Sequence, residues 1–147
     1  MTHVRRQIRD NVSAALTTGV TLVQRRVFPT RVFAIDGAKL PCVAVYTTSE
    51  TSDIRTMGLK TLSRSVSVVA EAYIRVTGSF DDDADAIAVQ IEAAIAADTT
   101  LGGVAKDAIL TSTEIDFSGD AEAPIGVARL TYSVDYVTSI GDAETAR

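Results

Sequence analysis

Apolar residues at alternate positions over residues 62–76 constrain the fold more than any other feature of this chain. Successive side chains of a β-strand point to opposite faces, so the pattern predicts one long strand with a buried face and a wetter face. Arg64 is the only charged residue on the otherwise apolar face. The apolar positions are Leu62, Val66, Val68, Ala70, Ala72, Ile74 and Val76. A sheet with at least one covered side is therefore predicted.

Two amphipathic helices are predicted, one before and one after this strand. Over residues 2–18 apolar side chains recur at spacings of three and four, and Gly19 can adopt the left-handed conformation that ends a helix. The second helix follows Gly78-Ser79, with four aspartates at its start and then Ile87, Ile91, Ala94 and Ile95. Carboxylates in a first turn oppose the positive end of the helix dipole.

Further β-prone segments surround these elements. The apolar run over 40–46 is typical of a strand covered on both faces. Residues 20–35 contain Pro29, which cannot donate to a β-ladder, so they are predicted to hold at most an edge strand or two short extended pieces, followed by a turn at Asp36-Gly37. Runs over 108–117 and 125–138, separated by Ser118-Gly119-Asp120 and Pro124, predict a hairpin.

Two segments are predicted to lack regular structure of their own. Residues 47–61 form a long polar connection whose only large apolar groups are Ile54, Met57 and Leu59. Connections of this length are often functional or mobile, so the segment is either a flexible hairpin loop or one that orders against a partner and buries those side chains. Residues 139–147 are predicted to be a disordered tail.

This order of elements predicts an α+β fold: a mostly antiparallel or mixed sheet of four to five strands with two helices packed on it. Residues 1–138 are predicted to form a single domain, because 147 residues suffice for one core and no linker or repeat divides the chain.

Composition disfavours several classes of function. The net charge of −5 and pI of about 4.8 do not suit the wrapping of nucleic acid. Arg5, Arg6 and Arg9 precede an apolar run that Asn11 and other polar residues interrupt, so no secretory signal is expected. No stretch approaches the ~20 apolar residues of a membrane span, and the protein is expected to be soluble. The single cysteine, Cys42, lies in an apolar run and is predicted to be a small buried hydrophobic residue.

The sequence contains no recognisable catalytic or metal-binding constellation. His3 is the only histidine, and no nucleophile elbow or phosphate-binding loop is present. The acidic residues around Asp82 lack the order of a calcium loop and fit a helix start better. Glu114 and Asp116 share a strand face, but a solvated edge is the simpler interpretation. No catalytic residue, cofactor or metal is therefore predicted, and the chain is not expected to be an enzyme.

Four segments in this order resemble the tail terminator family of long-tailed phages, the minor tail protein U group. They are I-R-D-N-V-S-A-A-L over 8–16, V-F-A-I-D-G-A-K-L-P-C-V-A-V-Y over 32–46, D-D-D-A-D-A-I-A-V-Q-I-E-A-A-I over 81–95 and A-R-L-T-Y-S-V-D-Y over 128–136. The resemblance extends from about residue 4 to residue 138, and it is carried by the set in order rather than by any one segment.

The resemblance implies a structural virion protein at the head-proximal end of the tail, assembled in the host cytoplasm. Such a protein is expected to form a homo-oligomeric ring, hexameric in the family, that caps the tail tube, stops its polymerisation and meets the head-tail connector. The tail tube protein and the connector are then its partners, with no membrane, and with DNA only passing through the ring lumen. A closed ring needs two different contact patches on each subunit. The candidate interface residues are Arg25, Arg26, Arg31, Asp53, Ile54, Arg55, Met57 and Leu59.

Two other functions fit the same sequence. One is another head-tail connector, neck or tail tube component, and the other is a monomeric ligand-binding domain or small enzyme. A terminator should cap growing tail tubes, whereas another connector, neck or tube component should not. A strictly monomeric state together with a deep polar pocket would favour the ligand-binding domain or small enzyme.

Overall fold

The computed structural model of the chain describes residues 2–31, 40–117 and 124–147. These ranges contain two α-helices, α1 (Val4–Gly19) and α2 (Phe80–Ala96), and a 3-10 turn at Thr21–Val23. They also contain six strands: β1 (Val27–Phe28), β2 (Cys42–Thr56), β3 (Thr61–Arg75), β4 (Asp107–Phe117), β5 (Ile125–Ser139) and β6 (Asp142–Ala146). The turn predicted at Asp36-Gly37 and the break predicted at Ser118–Asp120 lie outside the described residues.

The six strands form one mixed sheet in the order β1-β2-β3-β5-β4, with β6 also paired to β5. The β2/β3, β3/β5, β4/β5 and β5/β6 pairs are antiparallel, and the two-residue β1 runs parallel to the start of β2. The predicted α+β class, the long central strand and the hairpin of β4 and β5 are confirmed.

Both helices cover one face of this sheet and bury its apolar rows. The side chains of Ile8 and Leu16 in α1 and Ile91 in α2 have no exposed surface. Beneath them lie the alternating residues of the central strands: Val66, Val68, Ala70, Ala72 and Ile74 in β3, with Ala128, Leu130, Tyr132, Val134 and Tyr136 in β5. The alternation read from the sequence therefore defines the core.

Close packing at the start of α2 depends on a glycine. The Phe80 ring lies over Gly126 of β5, where a Cβ atom would fall 2.2 Å from the ring. The missing side chain lets the first turn of the helix approach the sheet.

A histidine and three aspartates begin the two helices. His3 Nδ1 accepts a hydrogen bond from the Arg5 backbone N–H at 3.0 Å, which satisfies one free donor of α1. Partial burial, reinforced by the positive charge of Arg5, lowers the pKa of His3 and favours the neutral, accepting form. In α2, Asp81, Asp82 and Asp83 occupy the first turn, as expected from the sequence.

Residues 47–61 do not form the long connection that was expected. β2 continues to Thr56, a short turn spans 57–60, and β3 begins at Thr61 in antiparallel register with β2. The strand was missed because residues 51–55 are exposed, so no apolar face marks the period of two. The bulge between Thr47 and Glu50 also breaks the alternation.

The C-terminal segment also differs from the expected disordered tail. β5 continues to Ser139, Gly141 turns the chain with φ +85°, and Asp142–Ala146 pairs with β5. The Gln7 side chain of α1 donates to the Glu144 carbonyl at 2.8 Å. Pairing and this helix contact order the segment despite its polar composition.

Cys42 is buried in β2, 1% exposed, as predicted from its apolar surroundings. No helix within the described part of the chain is long and apolar enough to cross a membrane.

Candidate interaction surface

Residues 51–63 form a β-hairpin at one end of the sheet, here called the arm. It comprises the end of β2, the turn and the start of β3. Its large apolar side chains are exposed: Ile54 by 58%, Met57 by 80% and Leu59 by 73%. Ile140, 49% exposed, lies beside them because its backbone N–H donates to the Lys60 carbonyl at 2.8 Å. These four residues, the arm tip, place apolar surface in solvent at one end of the sheet.

The structure brings five of the eight predicted interface residues together on the arm. They are Asp53, Ile54, Arg55, Met57 and Leu59. Arg25 and Arg26 directly precede β1, which pairs with β2 at Val43 and Ala44, and Arg31 lies against Tyr46 of β2. Val43 and Asp53 are ten residues apart on one strand, which corresponds to roughly 33 Å. The predicted residues therefore fall into two separate regions.

The arginines near β1 make contacts within the chain. Arg26 donates through Nε to the Pro41 carbonyl at 3.0 Å and through Nη2 to the Leu40 carbonyl at 3.3 Å, so it holds the entry to β2. The Arg31 guanidinium lies 4.8 Å from the centre of the Tyr46 ring. Arg25 is exposed and has a positive φ of 66°.

A polar cluster around Glu50 holds the base of the arm. The Glu50 carboxylate accepts hydrogen bonds from Arg5 at 3.1 Å, from Arg64 at 3.4 Å and from the Tyr136 hydroxyl. Burial and the hydrogen bond to Glu50 raise the pKa of Tyr136, which stays protonated and donating. This cluster ties α1, β2, β3 and β5 together, and it explains why Arg64 interrupts the apolar face of β3.

A second polar cluster lies on the face of the sheet away from the helices. The Glu71 carboxylate accepts from Arg129 Nε at 2.6 Å, from the Tyr46 hydroxyl at 2.8 Å and from the Tyr73 hydroxyl. Arg129 also donates to Glu114 at 3.1 Å. Glu71 is only 8% exposed through its side chain. These donors offset the cost of burying the carboxylate and hold β2, β3 and β5 together on this face.

Acidification is expected to remove the stabilisation that ionised Glu71 provides. Burial by itself raises the pKa of Glu71, but hydrogen bonds from Tyr73, Arg129 and Tyr46 outweigh it and leave the pKa below the ordinary value of 4.5. The folded state thus holds this proton less tightly than the unfolded chain. The stabilisation is fully present above about pH 5, and it is lost as the pH falls through the lowered pKa that Glu71 has in the folded state.

Urea unfolding of the wild type and Glu71→Gln between pH 6 and pH 3 measures this contribution. The difference in free energy of unfolding should be constant above about pH 5 and should shrink below about pH 4.5. A difference that persists unchanged to pH 3 would contradict the assignment.

Neither a metal site nor a built ligand pocket was found among residues 2–31, 40–117 and 124–147. No group of three His, Cys, Asp or Glu side chains there is placed to hold a metal ion. An open trough of about 490 Å³ beside the arm is lined by both charge types, including Asp53, Arg55, Lys106 and Asp135. Opposite charges at such spacing give no clear preference for a cation or an anion. Glu114 is paired with Arg129 and exposed, as is typical of a strand edge.

Sequence reasoning did not identify Glu50, Glu71, Arg129 or Ile140 as important. Arg64 on an apolar face was a signal that a buried carboxylate lay opposite, because a charge in such a position needs a partner. Ile140 had no comparable signal, since its exposure near the arm depends on the turn between β5 and β6.

The fold combines a helix-covered core with apolar side chains that are exposed at the arm tip. The Glu50 and Glu71 carboxylates are engaged by donors, and four of the eight large apolar side chains exposed within the described residues lie at the arm tip. The family model described as phage minor tail protein U matches residues 3–136, and the chain belongs to this family. It is accordingly a structural protein of a phage tail, and membership of such a family indicates a role other than catalysis. No individual protein of curated function matches the chain.

Proposed function

We propose that the protein is a tail terminator: a ring of identical subunits, six in the expected form, that closes the head-proximal end of the tail tube. The ring stops tube polymerisation and offers the head-tail connector a surface on its other side. The observation that carries this proposal is the arm tip, a group of exposed apolar side chains on an anchored hairpin in a member of the minor tail protein U family.

The exposed arm tip is the surface that we expect to contact the tail tube. Exposed clusters of large apolar side chains in soluble proteins commonly mark interaction sites, since their burial against a partner is favourable. Met57 adds an unbranched, polarisable side chain that adapts to the shape of a partner surface. Glu50, Arg5 and Arg64 at the base restrict the arm, so that less conformational freedom is lost on binding.

The charge of the chain supports a passage for DNA rather than a DNA-binding surface. A ring with a net charge of −5 on each subunit repels the phosphate backbone, which favours sliding over adhesion. DNA is then a molecule that passes the lumen, and the lasting partners are the tube protein and the connector.

A tube-capping assay with two variants tests the proposal. Wild-type protein added to polymerising tail tubes should stop their growth, so that mean tube length in electron micrographs falls and rings appear at one end. The double variant Met57→Ser/Leu59→Ser should remain folded. The protein concentration that it needs to cap the tubes should rise by on the order of tenfold or more. Val89→Ser, at an exposed position of α2, is the matched control and should cap as the wild type does.

One outcome would overturn the terminator proposal, and a second would overturn only the assignment of the arm tip as the tube contact. Continued elongation at a stoichiometric excess of folded wild-type protein would exclude termination and favour another tail or neck component. Equal capping by the wild type and the arm-tip variant would show that the tube contact lies elsewhere.

A further inference from the structure

An open recess at the base of the arm is lined mainly by polar side chains. Its volume is about 300 Å³, and α1 contributes the side chains of Arg5 and Arg9 to it. β2 contributes Thr48, Ser49 and Glu50. Thr48 and Ser49 are exposed and lie in the bulge of β2, outside the register with β3. Two guanidinium groups and two hydroxyl groups therefore meet in one recess beside the arm.

Hydrogen-bond donors outnumber acceptors around this recess. The Glu50 carboxylate already accepts three hydrogen bonds, from two arginines and from the Tyr136 hydroxyl. The buried Nε of Arg64 has no hydrogen-bond partner among the described residues, and Arg9 there reaches only the Thr47 hydroxyl, at 3.5 Å. Because a buried donor without an acceptor is unfavourable, this part of the molecule can accommodate a further acceptor from outside the chain.

The charge at the recess is positive although the chain as a whole is acidic. Three guanidinium groups, those of Arg5, Arg9 and Arg64, stand against the single carboxylate of Glu50. The pKa of His3 responds to this excess: burial lowers it most, the three arginines lower it further, and Glu50 opposes them. A surplus of positive charge with free donors favours an anionic group as the acceptor.

The recess and the arm tip lie on the same side of β2. Glu50 and Ile54 are four residues apart in unbroken register with β3, so their side chains point to the same face of the strand. The separation along the strand is roughly 13 Å. Asp53 alternates to the opposite face, and Asp10 is paired with Arg6 at 3.7 Å, so neither carboxylate supplies the acceptor. A protein surface that covers the arm tip can therefore also reach the recess.

We propose that this recess receives a carboxylate side chain of the protein that covers the arm tip. The inference rests on the proposed function, in which that protein is the tail tube subunit, and it names the chemistry of the contact: an acidic residue roughly 13 Å from an apolar patch. The guanidinium of Arg9 presents parallel N–H groups that match the two oxygens of a carboxylate. A single recess in a chain of charge −5 suits one side chain better than a nucleic acid backbone, which needs a row of cations.

Binding to tubes assembled from the purified tube protein tests the recess separately from capping. Labelled protein is titrated onto finished tubes, and the bound fraction is measured after sedimentation. Arg9→Gln removes the charge without removing a partner of Glu50, and its dissociation constant for the tubes should rise by on the order of tenfold. Arg6→Gln, on the same helix, is the matched control and should bind as the wild type does. Circular dichroism and thermal unfolding verify that both variants are folded.

Zero-length cross-linking identifies the group that enters the recess. Arg9→Lys supplies a primary amine, and a water-soluble carbodiimide joins that amine to a carboxylate in contact with it. An amide bond forms, and the carbodiimide takes up the elements of water and leaves as a urea. Digestion and mass spectrometry of the bound complex should find the introduced amine joined to an aspartate or glutamate of the tube protein. Arg6→Lys is the control and should give little of this product.

The outcomes separate this inference from the proposed function. Unchanged tube binding by folded Arg9→Gln, or absence of cross-links to the tube protein, would overturn the carboxylate contact and leave the terminator proposal standing. Cross-links to a second copy of this chain instead would assign the recess to a contact between subunits and overturn it as well. If the wild type binds tubes without stopping their growth, the terminator proposal fails while the binding and cross-linking results still decide the recess. Failure of the wild type to bind tubes at all would overturn both.

Discussion

Replacing Arg129 by methionine is expected to lower the free energy of unfolding by about 2–3 kcal/mol. The change leaves the Glu71 carboxylate buried with two tyrosine donors and no cation. Removing one partner of a buried pair typically costs about 3–5 kcal/mol, and the expected value is lower because Arg129 is 35% exposed through its side chain. Urea unfolding at pH 7 measures the effect.

A double-mutant cycle separates the charge pair from the loss of the arginine stem. Glu71→Gln/Arg129→Met should be more stable than Arg129→Met alone, because the uncompensated charge is gone. Arg6→Met is the matched control: Arg6 makes an exposed pair with Asp10 at 3.7 Å, and its loss should change stability by less than about 0.5 kcal/mol. A loss equal to that of Arg6→Met would rule out the role given to Arg129.

Replacing Ile91 by alanine is expected to cost about 2–5 kcal/mol in the free energy of unfolding. Ile91 has no exposed surface and lies in the middle of α2, where the helix packs on the sheet. Alanine leaves a cavity that the surrounding β-branched side chains fill only partly, so both the transfer energy and packing contacts are lost.

Val89→Ala provides the comparison on the same helix. Val89 is 65% exposed, and alanine has the higher helix propensity, so its stability should change by less than about 0.5 kcal/mol in either direction. Thermal and urea unfolding of both variants give the difference. Similar losses at the two positions would mean that α2 does not bury the face described for it.

The parts of the fold predicted correctly from sequence are those in which one face is buried. Val66, Val68 and Ala70 show the period of two because the helices cover one side of β3, and α1 shows the period of 3.6 for the same reason. No apolar layer covers the end of β2, so exposed residues such as Thr51 and Asp53 show no alternation of apolar and polar side chains that would predict a strand. Its conformation comes from pairing with β3, which depends on residues distant in sequence.

The candidate site was predicted in part for a related reason. Ile54, Met57 and Leu59 were identified because large apolar residues in a polar segment need an explanation, and they do lie together on the arm. Their support by Glu50 could not be read from sequence, because its partners Arg5 and Tyr136 are 45 and 86 residues away. Arg26 was grouped with the interface by charge alone, whereas its guanidinium binds backbone carbonyls before β2.

The contact between Gln7 and the C-terminal strand brings the two ends of the described chain together. The Gln7 amide donates to the carbonyls of both Thr2 and Glu144 at 2.8 Å. A linker of a few residues can therefore join the ends, and the chain can be reopened in the turn over 57–60. Such a circular permutant keeps every residue of the arm but breaks the backbone in the turn at its tip. It therefore tests whether the arm needs a continuous backbone or only its side chains.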